Sequence, residues 1–314
     1  MISRRQLLMG ASALAVAPAA RAAPAPMYDT HSHFFSSDFA RYPINLGGGR
    51  ENVEETRARI AAKPSSPENI LKLWAENGVE GGVGVQYNTV YRTDNSYLID
   101  SSDAHPDKIA AVVILDPVDP KTPAQLREMV QKHGVTGVRF TGNPAADGTY
   151  PYLDGKGAEA VWATANELGI AVELMYIPGK PTKTALDRIG ALAETHPRVK
   201  VVVDHIGWPG GEGAPDWGLI PAHLALKPQK NVYFKLTSIN FRNFEDNKQG
   251  GPSAVRRYVD VFGADRIMWG SDYGNTQGEF PEMVAKARAA VAKLTPQEQK
   301  KVLHDTGKRV FARR

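Results

Sequence analysis

Residues 170–205, IAVELMYIPGKPTKTALDRIGALAETHPRVKVVVDH, decide the architecture. Two short apolar runs, 170–176 and 199–205, flank a stretch over 183–195 in which apolar residues recur at helical spacing. Both runs are apolar at nearly every position, which marks strands buried on both faces of a parallel sheet. Parallel strands need a crossover, and a helix of this length supplies one.

The same unit repeats in both directions. Further strands are expected at 27–33, 79–86, 109–115, 135–141, 232–238 and 266–272. Helices are expected between them. Ser66-Pro67-Glu68 opens one that closes at Asn77-Gly78, and Thr122-Pro123 opens one that closes at His133-Gly134. Others are expected over 156–168, 216–226, 252–262 and 281–293, and a last one from Thr295-Pro296 to about Phe311. Eight β-α units in one chain predict a single-domain α/β fold, a (β/α)8 TIM barrel over 24–314. A doubly wound open sheet is the competing architecture. No strand is followed by a glycine-rich dinucleotide fingerprint, so no nucleotide cofactor is expected. Residues 34–65 carry no strong periodicity and include Gly47-Gly48-Gly49; after the first strand of a barrel they are expected to wall or cover the catalytic face.

Composition excludes several classes. Of 314 residues, 42% are hydrophobic and 23% charged, which is ordinary for a globular chain. There is no cysteine, so disulfides, thiolate zinc sites and a thiol nucleophile are excluded. The net charge is +4, but Arg4, Arg5 and Arg21 fall in an acid-free leader, leaving about +1 for the rest. Without a basic stripe, no nucleic-acid partner is expected. Residues 1–23 read as that leader: a twin arginine, an apolar stretch from Leu7 to about Ala20, and Ala20-Arg21-Ala22 as a small-x-small cleavage pattern. The apolar run is shorter than the ~20 residues that span a bilayer. The expected address is twin-arginine export through the Tat translocase to the periplasm, with no stable membrane association after cleavage. An ordinary secretory signal is the alternative.

Three of the eight histidines fall at strand ends on the side where barrels hold their chemistry. His31 and His33 end the first strand and His205 the sixth; period-two geometry puts Asp29, His31 and His33 on one face. Asp272 ends the eighth strand, next to the first in a closed barrel. Neutral imidazoles beside a carboxylate can hold a divalent metal such as zinc, or move protons to and from water. His105, His133, His196, His223 and His304 read as surface or capping residues. Gln86, Tyr176, Lys235, Asn240 and Arg242 are weaker polar candidates by position alone.

The runs Asp29-Thr30-His31-Ser32-His33, Val203-Asp204-His205-Ile206-Gly207 and Met268-Trp269-Gly270-Ser271-Asp272 together resemble the second amidohydrolase family, over essentially 27–311. Gly81-Gly82-Val83-Gly84-Val85-Gln86, Thr93-Asp94-Asn95-Ser96-Tyr97, Asp116-Pro117 and Gly137-Val138-Arg139-Phe140 are similar to its branch of 2-pyrone-4,6-dicarboxylate hydrolases and sugar lactonases. The resemblance implies that Asp272 activates water, that His31, His33 and His205 act on the carbonyl, and that Arg139 reaches a substrate carboxylate or carbonyl. Gln86 and Tyr176 are added as substrate contacts. The fifth strand lacks the histidine many members carry and the fourth has no lysine for a bridging carbamate, so a binuclear centre is not expected. One zinc or manganese ion held by His31, His33 and Asp272, or no metal at all, both fit. The expected activity is hydrolysis of a small lactone, ester or amide. A metal-dependent non-oxidative decarboxylase and a non-catalytic periplasmic binding protein are the alternatives. Self-association is open to such a barrel.

Overall fold

The computed structural model describes residues 25–46, 51–142, 145–176, 182–246, 248 and 250–313. The expected leader at 1–23 and the glycines 47–49 lie outside them. The strands are β1 (Met27–Ser32), β2 (Val79–Val85), β3 (Ile109–Ile114), β4 (Gly137–Gly142), β5 (Ala171–Tyr176), β6 (Lys200–Val203), β7 (Val232–Thr237) and β8 (Ile267–Gly270). They pair in chain order, all in parallel. The first and last meet at a seam. Asp272 N donates to His31 O at 2.7 Å, His33 N donates to Tyr273 O at 2.9 Å, and Ser32 bridges Tyr273. The fold is a single-domain (β/α)8 barrel.

Two apolar layers hold it. Outward strand residues and the helices form one continuous core that includes Trp74, Trp162, Tyr258 and Trp269. Inside the barrel a smaller cluster of Val83, Val85, Ala110, Val112, Ala171, Val202 and Met268 is closed from below by Val310 and Phe311. Two residues further along each strand the inward face becomes charged: Ala171 gives way to Glu173, Val202 to Asp204, and Tyr233 to Lys235, each of the three buried. The charged layer thus stands on the apolar one, at the strand ends where barrel chemistry is built.

Expectation and structure differ in three places. Residues 34–65 contain a helix, Val53–Ala62, opened by a capping box between Asn52 and Glu55; its polar surface and sparse buried positions (Thr56 and Ile60) hid the periodicity. The expected helix over 216–226 is helical only over Pro221–Ala225. The sixth and eighth strands stop short of His205 and Asp272. After Val203 the chain enters a left-handed turn, with φ of 53° at His205, 57° at Ile206 and 56° at Trp208; Asp272 has φ 57°. A β-branched residue at positive φ is strained and persists only where its surroundings fix it. No helix among the described residues is long and apolar enough to cross a membrane.

Candidate active site at the barrel mouth

The turn after β6 is held by a dedicated set of side chains. The Tyr176 hydroxyl donates to Gly207 O at 2.8 Å, His223 Nε2 lies 2.8 Å from the same oxygen, and Asn240 Nδ2 donates to His205 O at 2.9 Å. His223, read from sequence as a surface or capping residue, is buried and does both jobs: its Nδ1 accepts from Ile220 N at 3.2 Å while its other nitrogen clamps the turn. The turn presents His205 to the mouth. Its Nδ1 lies 2.7 Å from Thr237 Oγ1, which in turn donates to Asn240 Oδ1. That chain puts the ring proton on Nδ1 and leaves a lone pair on Nε2.

His31, His33 and Asp272 converge. The imidazole centroids of His31 and His33 are 5.0 Å apart, and those of His31 and His205 are 5.7 Å apart. His33 Nδ1 donates to Val85 O at 2.8 Å, and its Nε2 lies 3.3 Å from Asp272 Oδ1. His31 Nε2 stands 3.6 Å from the same oxygen and has no hydrogen-bond partner. Asp272 Oδ2 accepts from Asn275 Nδ2 at 2.9 Å and from the Thr276 hydroxyl, which fixes the carboxylate plane. Asp29 does not join this group. A register shift in β1 between Asp29 and Ser32 breaks the period of two, and Asp29 turns away to accept from Trp74, Ser32 and Ser271.

Below them lies a second set, all buried. Arg139 reaches Asp204 Oδ2 through Nη2 at 2.7 Å and Nε at 3.2 Å, and stands 3.3 Å from Glu173. Lys235 Nζ donates to Glu173 Oε2 and lies 3.3 Å from His31 Nδ1. Burial together with the Asp204 carboxylate pushes Glu173 up, against the pull of Lys235 and Arg139. Burial also works against Asp204 and Asp272. Yet Arg139, His31 and Lys235 hold Asp204 well below the usual carboxylate range, and His33, His31 and His205 do the same for Asp272. Burial, assisted by Lys235, pushes His31 well below the ordinary imidazole value; burial lowers His205 too. The mouth therefore pairs the ionised Asp272 carboxylate with His31 and His205, whose burial favours the neutral imidazole.

The two partners of His31 Nδ1 decide what its other nitrogen can do. With Lys235 donating to Nδ1, Nε2 carries the proton and becomes a donor. With Nδ1–H directed at Asp204 Oδ1, 3.5 Å away, Nε2 offers a lone pair. In the second case the lone pairs of His31, His33 and Asp272, whose ligand atoms lie within 4.8 Å of one another, converge as a divalent cation requires. The unpartnered buried Nε2 of His31 fits such an ion.

The sequence pattern of the amidohydrolase family matches residues 28–313. The chain belongs to the amidohydrolase family. It is a hydrolase of that family. A curated relative, an L-fucono-1,5-lactonase of Burkholderia ambifaria, is 26% identical over 217 residues spanning 66% of this chain and 69% of the relative. A solved structure from Pseudomonas putida, described as a 2-pyrone-4,6-dicarboxylic acid hydrolase, aligns with TM-score 0.70 at 24% identity over 92% of this chain and 98% of that one. A dihydroxybenzoic acid decarboxylase of Polaromonas sp. JS666, solved with manganese, aligns with TM-score 0.64 at 16% identity over 92% of this chain and 97% of that one. The two structures establish shared architecture.

Within this amidohydrolase the structure brings His31, His33, His205 and Asp272 together. It engages the three expected substrate contacts internally: Arg139 on Asp204, Tyr176 on Gly207 O, and Gln86 on Asp94 O and Tyr87 N. Glu173 and Asp204 were missed as site residues. Their signal was available, since each stands two residues above an inward apolar position. Residues 34–65 pack on the mouth rim through Phe35, Tyr42 and Ile60 against Val90 and Tyr91, and Arg59 donates to Gly274 O at 3.2 Å.

Proposed function

We propose that this amidohydrolase opens a small lactone, or cleaves another activated ester or amide of a carboxylated or sugar-like molecule, after export to the periplasm. The observation that carries the reading is the ionised Asp272 carboxylate held at the barrel mouth against the imidazoles of His31 and His33. Asp272 accepts a proton from the attacking water as the new C–O bond forms. His33, facing the same oxygen, relays that proton to the alkoxide that leaves as the acyl C–O bond breaks. The product is the ring-opened hydroxy acid. His31, with Lys235 behind Nδ1, donates from Nε2 to the carbonyl oxygen as negative charge develops there. A zinc or manganese ion bound by His31, His33 and Asp272 would supply the same polarisation as a Lewis acid. Arg139 acts by holding Asp204, and Tyr176 and Asn240 by holding the turn that carries His205.

The lactonase relative supports this substrate class. The test is acid release from a panel of aldonolactones and carboxylated lactones, followed on the purified mature chain. Turnover of at least one class, with stoichiometric ring opening, is expected. Carbon dioxide release from a carboxylated aromatic, with every lactone untouched, would contradict the reading and favour a decarboxylase.

A further inference from the structure

The segment that ends β2 touches both partners of the proposed proton transfer. Val85 O accepts from His33 Nδ1 at 2.8 Å, and two residues on, the Tyr87 ring lies against the same imidazole with centroids 4.6 Å apart. Phe35 packs edge-on against the Tyr87 ring at 5.5 Å. The Gln86 side chain fixes the backbone here: its Oε1 accepts from Tyr87 N at 3.0 Å and its Nε2 donates to Asp94 O. The Tyr87 hydroxyl then reaches the loop after β8, 2.7 Å from Asn275 Oδ1, and Asn275 Nδ2 donates to Asp272 Oδ2 at 2.9 Å. Chemistry sets the direction of this chain. An ionised carboxylate only accepts, so the amide turns its N–H₂ to Asp272 and its carbonyl to the phenol, which donates.

We propose that Tyr87 is a positioning residue: through Asn275 it holds the Asp272 carboxylate so that Oδ1 is the oxygen that takes the proton. Asn275 is exposed, and an exposed amide side chain changes rotamer freely unless a second partner holds it. Tyr87, half-buried and packed on His33 and Phe35, is that partner. With Oδ2 occupied by Asn275 and the Thr276 hydroxyl, Oδ1 is left to face His31 Nε2 at 3.6 Å and His33 Nε2 at 3.3 Å. The phenol polarises the amide and makes its N–H a stronger donor to the carboxylate. β2 and β8 are the two neighbours of β1, so the bridge from Tyr87 to Asn275 spans the strand end that carries His33. Residues 85–87 thus set His33 directly and Asp272 at one remove. The effect on turnover rests on the proposed hydrolysis, in which Asp272 is the base; the bridge itself does not.

The experiment compares wild type, Tyr87→Phe, Asn275→Ala and the double variant on a lactone that the wild type opens, with folding checked by circular dichroism. Tyr87→Phe keeps the ring on His33 and removes only the hydroxyl. Its kcat is expected to fall ~10-fold, with KM within about two-fold of wild type. Asn275→Ala is expected to lose at least as much, and the double variant no more than Asn275→Ala alone, because the two residues act through one chain. An unchanged kcat, a rise in KM at constant kcat, or losses that multiply in the double variant would each overturn the proposal. A second readout needs no substrate: the side-chain amide signals of Asn275 in a ¹H–¹⁵N spectrum, identified by their loss in Asn275→Ala. In Tyr87→Phe they are expected to move upfield, and signals that stay in place would overturn the proposal. Should the wild type open no lactone, the hydrolysis fails and these signals alone decide whether Tyr87 holds Asp272 through Asn275.

Discussion

Two regions of one barrel interior are built from the same strands and differ in everything but position. The lower layer, Ala110, Val112, Ala171, Val202 and Met268 over Val310 and Phe311, is small and apolar. The upper layer, one inward position higher, is Arg139, Glu173, Asp204 and Lys235 beneath the histidines and Asp272. Burial stabilises the first directly, at roughly 25 cal/mol per Å² of apolar surface. In the second, burial costs free energy at every charged group, and the charges persist because each is paired. A barrel strand can therefore carry a stabilising residue and a chemical one two positions apart, and the comparison says which property each substitution should strike.

The largest expected effect on stability lies in the upper layer. Lys235→Met leaves Glu173 buried with Arg139 as its one remaining cation and is expected to destabilise by about 3–5 kcal/mol. The double variant Lys235→Met/Glu173→Gln should recover most of that loss, as read by urea unfolding. A double variant no more stable than the single one would show that the pair is not the unit that matters. In the lower layer, Met268→Ala is expected to cost about 2–5 kcal/mol through the cavity it leaves. It should keep kcat near wild type, because Met268 belongs to the apolar floor. A large fall in kcat at unchanged folding would break the division between layers.

The smallest effect is in pH. His31 and His205 titrate below the ordinary imidazole value in the folded protein. Below pH ~6.5 the unfolded chain therefore binds protons that the folded chain refuses, and stability falls with acidification, by about 1 kcal/mol per pH unit for each imidazole. Asp272, held below its ordinary value, contributes stability that is intact throughout this window and is lost only at far lower pH. The kcat/KM profile of the hydrolysis should accordingly stay level down to pH ~6.5 and fall only below it. An acid limb centred at or above that value would mean that the histidines are less buried in function than in this structure.

The lower layer and the strand order were legible because continuous β-branched runs admit few other readings: 199–205 and 109–115 look like nothing but buried parallel strands. His31, His33 and Asp272 were legible because strand ends are where such a barrel gathers its chemistry. Asp29 was misplaced because a register shift in β1 is invisible to a strict period of two. His205 was placed on a strand although a left-handed turn carries it, since nothing local marks Ile206 for positive φ; Tyr176, His223 and Asn240 impose it from three other elements. The helix Val53–Ala62 was missed although its Asn52–Glu55 capping box is written in the sequence.

The account rests most heavily on Asp272 as the base. The direct measurement is single-substrate kinetics of Asp272→Asn on a lactone that the wild type opens, with circular dichroism on the same sample. Loss of kcat by ~10²–10⁴-fold in a folded protein is the predicted result. A folded Asp272→Asn protein with kcat within a few-fold of wild type would contradict the account.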